Sequence, residues 1–562
     1  MTLIRMGSSI KIGKTLRNFC TTSSSSFARK IGLDTPDDIT AGQQMIMTFR
    51  ERVENRRNEA KRSVIVQVQS EKSAADLYNY CSEYGTIESM HHYCLNEQSH
   101  FILVEFKAVS AMEILLNQCC HLNESHIIPT RTPFLWFRSK SPRRKQARTG
   151  ESDVPILKHQ YGTAIPTDKD IKNLLQGAKS LSEQINVLYS ATHLNDVGER
   201  LRFLTARQIE IALCGPFPNV KALPFGSSVN GFGRMGCDLD IVLQLDTDDS
   251  HEKWEDCRLV FQAKTSSPNG RASSQRLMET VGDMCQLFLP GVTGVKRILQ
   301  ARVPIVKFQQ DLTGIECDLS ASNAFAVQMS ELLYILGSHD VRVRPLVFAI
   351  RAWARYVGLT NPVPGRWITN FSLVLMVLYF LQQRSPPILP ALDKLSMSSP
   401  ALNLNHLDAR PARSPIVGSA HEGISAEQDN RVETVGILFT EFLAFYSSFD
   451  FNNLAINLLT SANTIKPEHS PLYIVNPLEP NLNVSKNVGS EEVAKLRIEL
   501  RNSAWLLESA DVTSTSDKSV PWGLLTFFRE NHHISKEQKS FAPPVSKRRR
   551  VSINKLFLEE TR

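Results

Sequence analysis

The residues best suited to chemistry lie between Leu223 and Leu245, in LPFGSSVNGFGRMGCDLDIVLQL. CDLDIVLQL (Cys237 to Leu245) alternates with period two and is therefore a strand. Two residues apart, Asp238 and Asp240 leave it on one face, while Leu239 and Ile241 turn to a core. Two adjacent carboxylates repel, and a hard divalent cation such as Mg²⁺ or Mn²⁺ relieves that cost. A third carboxylate is expected on a neighbouring strand. Val303 to Asn323, VPIVKFQQDLTGIECDLSASN, reads as a hairpin turning at Thr313 and Gly314, with Glu316, Asp318 and Ser320 on one face and Ile315, Cys317 and Leu319 on the other. Asp318 is the expected third ligand. Three carboxylates can hold two Mg²⁺ ions about 3.5 to 4 Å apart, one to activate an attacking hydroxyl and one to brace a triphosphate and its leaving group. Backbone N–H groups of the turn at Gly226 and Ser227, with the Ser227 and Ser228 hydroxyls, suit phosphate oxygens. Gly231, Gly233 and Gly236 form a formal GxGxxG, but they run into a strand where a dinucleotide fingerprint must open a helix, so that reading is rejected.

A DxD pair alone is common on exposed strands, and a lone Gly-Ser turn says less still. Together, Gly226-Ser227, a ten-residue spacer, Asp238-Leu239-Asp240 and a later strand aspartate resemble the signature of the DNA polymerase β-like nucleotidyltransferases. Downstream, VRPLVFAIRAWARYVGL (Val343 to Leu359), GRWITNFSLVLMVLYFLQ (Gly365 to Gln382) and SPLYIVNPLEPNLNVSKNV (Ser470 to Val488) resemble the nucleotide-recognition domain of non-nuclear-type poly(A) polymerases and terminal uridylyltransferases. The N-terminal module, the acid-free leader and SPPILP (Ser385 to Pro390) are similar to the mitochondrial branch of that group.

The resemblance implies Asp238, Asp240 and Asp318 as catalytic metal ligands, Gly226 and Ser227 at the triphosphate and Asn323 at the ribose. It also implies Arg351 and Arg355 on the nucleotide phosphates, where the family usually has lysines, Phe371 stacked on the base and Asn370 near the phosphate. Four apart on a helix, the two arginines share a face. Without the resemblance, Phe371 reads equally well as helix core. Uridine-selective members resemble IEDPF followed by His-Asn, whereas here Ile474-Val475-Asn476-Pro477-Leu478 is followed by Leu482-Asn483. The uracil-reading groups are absent, which points towards ATP.

The implied activity is a template-independent polymerase adding AMP from ATP to RNA 3′ ends with release of pyrophosphate. A uridylyltransferase or relaxed-specificity nucleotidyltransferase is the alternative enzyme. A catalytically silent RNA-bound scaffold is the alternative of another class.

The expected fold is α+β: a nucleotidyltransferase palm with a mixed sheet (200–330), a mostly helical nucleotide-recognition domain (166–199 and 331–530) and an N-terminal βαββαβ module (63–140). The module follows a helical stretch, Ala41 to Arg62. Its predicted elements are strands at Ser63–Gln69, Thr86–Tyr93, His100–Lys107 and Ile127–Phe137 and helices at Lys72–Tyr84 and Ala108–Cys119. The order resembles the RNA-recognition motif, whose sheet stacks bases on aromatics. Here the first strand has none, and Phe101 and Phe106, five apart, fall on opposite faces. The module is therefore assigned to packing against a protein surface, with a homodimer as the simplest assembly.

A basic linker (141–165), an insertion rich in Pro, Ser, Ala and Asn (385–432) and a basic tail (531–562) complete the plan. The chain has 562 residues and a net charge of +7, which permits a nucleic-acid partner without establishing one. Its ten cysteines follow no CxxC or disulfide framework and read as reduced thiols. Phe371 to Leu381 is too short to span a bilayer. Residues 1–33 carry six Lys and Arg and no acid, the composition of a mitochondrial transit peptide (assigned to 1–40) and hence a matrix location. A basic arm is the plain alternative, and Lys547 to Arg550 offer a nuclear signal instead.

Overall fold

A computed structural model describes residues 47–95, 99–121, 125–138, 157–159, 165–245, 258, 270–321, 323–363, 365–394, 433–460, 462–513 and 521–528. The expected leader and basic tail, and most of the linker, lie outside these residues. The architecture is α+β in three parts.

Helix α1 (Phe49–Lys61) starts at a capping box in which the Thr48 hydroxyl accepts from the Glu51 N–H and Glu51 reaches back to the Thr48 N–H. The module follows as β1 (Ser63–Val68), α2 (Ala74–Ser82), β2 (Ile87–Leu95), β3 (Ser99–Phe106), α3 (Val109–Gln118) and β4 (Phe134–Trp136). Where the pattern predicts a strand over 127–137, only three residues pair, since Pro129 and Pro133 cannot donate to a ladder. The linker contributes a further short strand, β5 (Lys158–His159), which pairs parallel with β2, so that stretch is not wholly linker. The sheet order is β4-β1-β3-β2-β5.

Alternation divides this sheet between two cores. Val64, Val66, Ile102, Val104 and Phe106 pack on Leu77, Cys81, Met112 and Leu115 of the module's own helices. Ile65, Tyr93, Phe101, Leu103 and Phe134 join instead the core that holds Val197, Leu201, Leu239 and Leu319. One expectation is corrected here. A stacking aromatic pair does exist on that second face, because Tyr93 and Phe101 are register partners on β2 and β3 with ring centroids 5.2 Å apart and planes 14° apart. Both rings are buried, and the Tyr93 hydroxyl donates to the Leu312 carbonyl at 2.9 Å. The face that reads bases in a recognition motif is thus covered by the chain's own palm.

Charge ties the same parts together. Glu105 is buried and accepts from Arg62 at 2.6 Å, Ser89 at 2.9 Å and Arg200 at 2.7 Å. Burial alone would raise its carboxyl, but Arg200, Ser89 and Arg62 outweigh that and hold it below the ordinary value.

Helices α4 (Asp168–Gln176), α5 (Leu181–Thr192) and α6 (Asp196–Leu213) lead into the palm. Its strands are β6 (Lys221–Phe225), β7 (Leu239–Gln244), β8 (Val292–Ile298), β9 (Ile305–Gln310) and β10 (Ile315–Ser320), with α7 (Gly270–Phe288) between β7 and β8. The order β6-β7-β10-β9-β8 is mixed, since β7 and β10 run parallel and the other neighbours antiparallel. The remaining helices are α8 (Ala324–His339), α9 (Val343–Tyr356), α10 (Asn370–Gln382), α11 (Val435–Ser448) and α12 (Ser490–Thr513). From Ser372 to Gln382, α10 is buried on every side, as its uninterrupted apolar run requires. Trp353 of α9 is buried with its indole N–H donating to the Ser503 hydroxyl of α12 at 2.8 Å.

The start of the expected surface insertion is corrected too. Leu389 and Leu392 are buried in the helical core, and the N–H groups of Ile388 and Leu392 donate to Leu381 and Leu458. Two leucines among prolines carry no periodic signal, so their burial was not visible in the pattern. Residues 395–432 lie outside the described residues.

Candidate active site

Parallel pairing of β7 and β10 places Asp240 and Asp318 at one register position on neighbouring strands. Asp238 immediately precedes β7 on the same face as Asp240, and Leu239, Ile241, Cys317 and Leu319 fill the core behind. Phe225, the last residue of β6, pairs with Asp240, so the Gly226–Ser228 turn begins beside the carboxylates. Gly226 has φ +68° and stands so close that a Cβ there would lie 2.8 Å from Asp240 Oδ2.

Electrostatically the site is short of positive charge. Burial, then Asp318 and Asp238, push the Asp240 carboxyl up to about 7, against the opposing pull of Lys307. Burial also raises Asp318, opposed by Lys307 and reinforced by Asp238 and Glu316. Lys307 of β9 is a member of this cluster that sequence reasoning missed. Its Nζ lies 3.2 Å from Asp318 Oδ1, 3.3 Å from Glu316 Oε2 and 3.6 Å from Asp238 Oδ2. The signal was there: Lys307 lies on the polar side of an alternating strand and is the antiparallel partner of Asp318.

Arg202 of α6, also missed, organises the turn. It is buried, and its guanidinium donates to the Cys237 carbonyl at 2.6 Å, the Gly198 carbonyl at 3.1 Å and the Ser228 hydroxyl at 3.2 Å. One side chain thus holds the residue after Ser227 and the residue before Asp238. From α8, the Ser330 hydroxyl accepts the Gly226 N–H at 2.7 Å.

The structure places the other expected residues as follows. Asn323 precedes α8, just after β10. Arg351 of α9 donates to the Phe232 carbonyl at 2.6 Å, and burial and Arg234 lower its guanidinium to about 10, leaving it charged at neutral pH. Arg355 is paired at 2.7 Å with Asp168 of α4. Asn370, exposed, and Phe371, half-buried against the helical core, open α10 on the helical domain. Asn476 and Asn483 are committed to backbone: Asn476 Oδ1 accepts the N–H groups of Leu478 and Glu479, while Asn483 Oδ1 accepts those of Ile474 and Ser485.

A cation fits this donor set. The ligands are carboxylate oxygens, and buried Asp318 Oδ1 meets Lys307 Nζ without an aligned hydrogen bond.

The central palm domain model of the mitochondrial-like poly(A) RNA polymerases matches residues 181–338. The mitochondrial poly(A) RNA polymerase of Drosophila melanogaster is 43% identical over 529 residues, covering 91% of this chain and 84% of its own. The crystal structure of mtPAP in complex with ATPγS superposes with a TM-score of 0.72 at 34% identity, covering 86% of this chain and 99% of that one. The complex of mtPAP with UTP gives 0.71 at 33% identity, with the same coverage. With identity of this order along nearly the whole length of both chains, and with the carboxylates and turn in place, the chain belongs to the mitochondrial poly(A) RNA polymerase family.

Proposed function

We propose that this chain adds AMP from ATP to the 3′ ends of mitochondrial RNA without a template. The observation that carries the reading is the placement of Asp240 and Asp318 side by side on parallel strands, next to the Gly226–Ser227 turn. Asp238, Asp240 and Asp318 would hold two Mg²⁺ or Mn²⁺ ions, which when bound would supply Lewis-acid activation of the 3′ hydroxyl and charge relief at the triphosphate. Lys307, paired with Asp318, Glu316 and Asp238, offsets part of the carboxylates' negative charge. The RNA 3′ oxygen attacks the α-phosphorus, the bond to the β-phosphate oxygen breaks, and pyrophosphate leaves. Ser227 faces the triphosphate at the Gly226 turn, whose Gly226 N–H is held by Ser330, and Asn323 faces the ribose. Arg351 supports the turn through Phe232, while Arg355 exchanges Asp168 for phosphate. Phe371 stacks on the base, with Asn370 at its edge. Extension of oligo(A) with Mg²⁺ and each nucleotide supplied singly tests this reading, and a protein that extends with none of them overturns it.

Base choice rests on Leu482, which is apolar where uridine-selective relatives resemble a histidine. Discrimination then comes from stacking and pocket shape, which supply less than a dedicated polar contact. ATP is preferred but not absolutely, a reading supported by the crystallisation of mtPAP with UTP. Leu482→His should raise UTP use relative to ATP severalfold, read as the ratio of the two kcat/KM values. An unmoved ratio in a folded, ATP-active variant removes Leu482 from the base.

The chain acts in mitochondria, in the matrix on the composition of its leader. Import into isolated mitochondria with loss of roughly the first 40 residues is the check. We assign homodimer formation to the module. With the inner sheet face taken by the palm, its outer surface is left for a second copy, including Ile128 and Trp136, which are 49% and 54% exposed. Light scattering should give twice the chain mass for the parent and one chain mass for Ile128→Asp/Trp136→Asp; an unchanged mass moves the interface elsewhere.

A further inference from the structure

The module carries a cluster of soft ligands that nucleotidyl transfer does not use. His92 and Cys94 alternate onto one face of β2, and His100 of β3 is the register partner of Cys94. His92 Nε2 lies 3.1 Å from His100 Nδ1, and Cys94 Sγ lies 3.3 Å from His100 Nδ1 and 3.8 Å from His92 Nε2. The two imidazoles stack with planes 18° apart. Among the described residues this is the one group of three or more His, Cys, Asp or Glu whose ligand atoms converge within 4.8 Å.

These separations match a metal polyhedron. Zn²⁺ binds imidazole nitrogen at about 2.05 Å and thiolate at about 2.3 Å. A tetrahedron of such bonds sets two nitrogens about 3.3 Å apart and nitrogen and sulfur about 3.5 Å apart. Two nitrogens and one sulfur select a borderline-soft cation over Mg²⁺, which prefers all-oxygen surroundings. The Glu71 carboxylate lies near enough to interact electrostatically with Cys94, and it too favours a cation there.

We propose that His92, Cys94 and His100 form a structural Zn²⁺ site that clamps the end of the β2–β3 hairpin, with water at the fourth position. Its place in the fold gives the clamp a purpose. Between the two β2 ligands, Tyr93 points to the opposite face and donates to the Leu312 carbonyl. One residue further, Leu95 packs against Gly314, where a Cβ would meet its Cδ2 at 2.9 Å. Leu312 to Gly314 is the turn that leads into β10 and Asp318. The metal steadies the hairpin on which the catalytic strand's turn is seated, at a position separate from the palm carboxylates.

The test uses the purified full-length chain, stripped of metal and titrated with Co²⁺ and then Zn²⁺. The parent should develop the charge-transfer absorption of a Co²⁺–thiolate bond, saturating at one equivalent and bleached by Zn²⁺. Cys94→Ser should lose the band, whereas Asp318→Ala, which alters only the palm carboxylates, should keep it. Zn²⁺ should also raise the Tm of the parent but not of His100→Ala. A parent without the band, or a band that survives Cys94→Ser, overturns the site.

Discussion

Asp318→Ala and Asp240→Asn are expected to lower RNA extension by at least about a thousandfold, near 4 kcal/mol of transition-state stabilisation. Neither variant should unfold. Asp240 is held in repulsion: burial, Asp318 and Asp238 push its carboxyl up to about 7, so the folded chain holds this proton far better than the unfolded chain does. A carboxyl with a raised folded-state value contributes stability that is lost as pH rises through that value. In EDTA, Asp240→Asn should therefore melt no lower than the parent, and its advantage should be larger at pH 8 than at pH 5. Calorimetry at the two pH values beside single-nucleotide extension measures both effects. Extension above about a tenth of the parent rate, or a variant that melts well below the parent at pH 8, would falsify the account of these carboxylates as an electrostatically strained cation site.

Gly233→Ala is expected to cost about a hundredfold in kcat/KM for ATP, although Gly233 touches no carboxylate. A Cβ there would stand 2.3 Å from the Ser227 carbonyl oxygen, a backbone atom that cannot swing away as a side-chain end could. The turn must move, and displacement of a positioned group by about 1 Å is enough for an effect of that size. Gly270→Ala is the control, since nothing lies within 4 Å of the added carbon. Equal activity of the two variants would show that the turn does not set the triphosphate position. Because Arg202 holds both Ser228 and Cys237, its loss should act in the same direction, through misplacement of Ser227 and Asp238.

Much of this protein was legible in one dimension because its information is local. Asp238 and Asp240 share a face as a consequence of strand period, and Glu316, Asp318 and Ser320 do so for the same reason. The uninterrupted apolar run of α10 required burial on all sides, and the βαββαβ order of the module followed from its alternating patterns. Gly226-Ser227, its ten-residue spacing to the DxD pair and the later Asp318 together pointed to the nucleotidyltransferases. These features depend on residues a few positions apart, where backbone geometry leaves few choices.

The tertiary structure decided what depends on pairs distant in sequence. Tyr93 and Phe101 are a stacking pair only because β2 and β3 align them, and they are unavailable to bases only because α6 and the palm cover them. Lys307 became part of the site through its cross-strand register with Asp318, and Arg202 through a helix that begins some 30 positions before the turn it holds. Leu389 and Leu392 looked like surface insertion until the helical core closed over them. His92, Cys94 and His100 were unremarked single residues until a hairpin brought their ligand atoms together. Periodicity states which face a side chain leaves from, whereas what waits on that face is set by packing between elements, and packing carries no signature within either element alone.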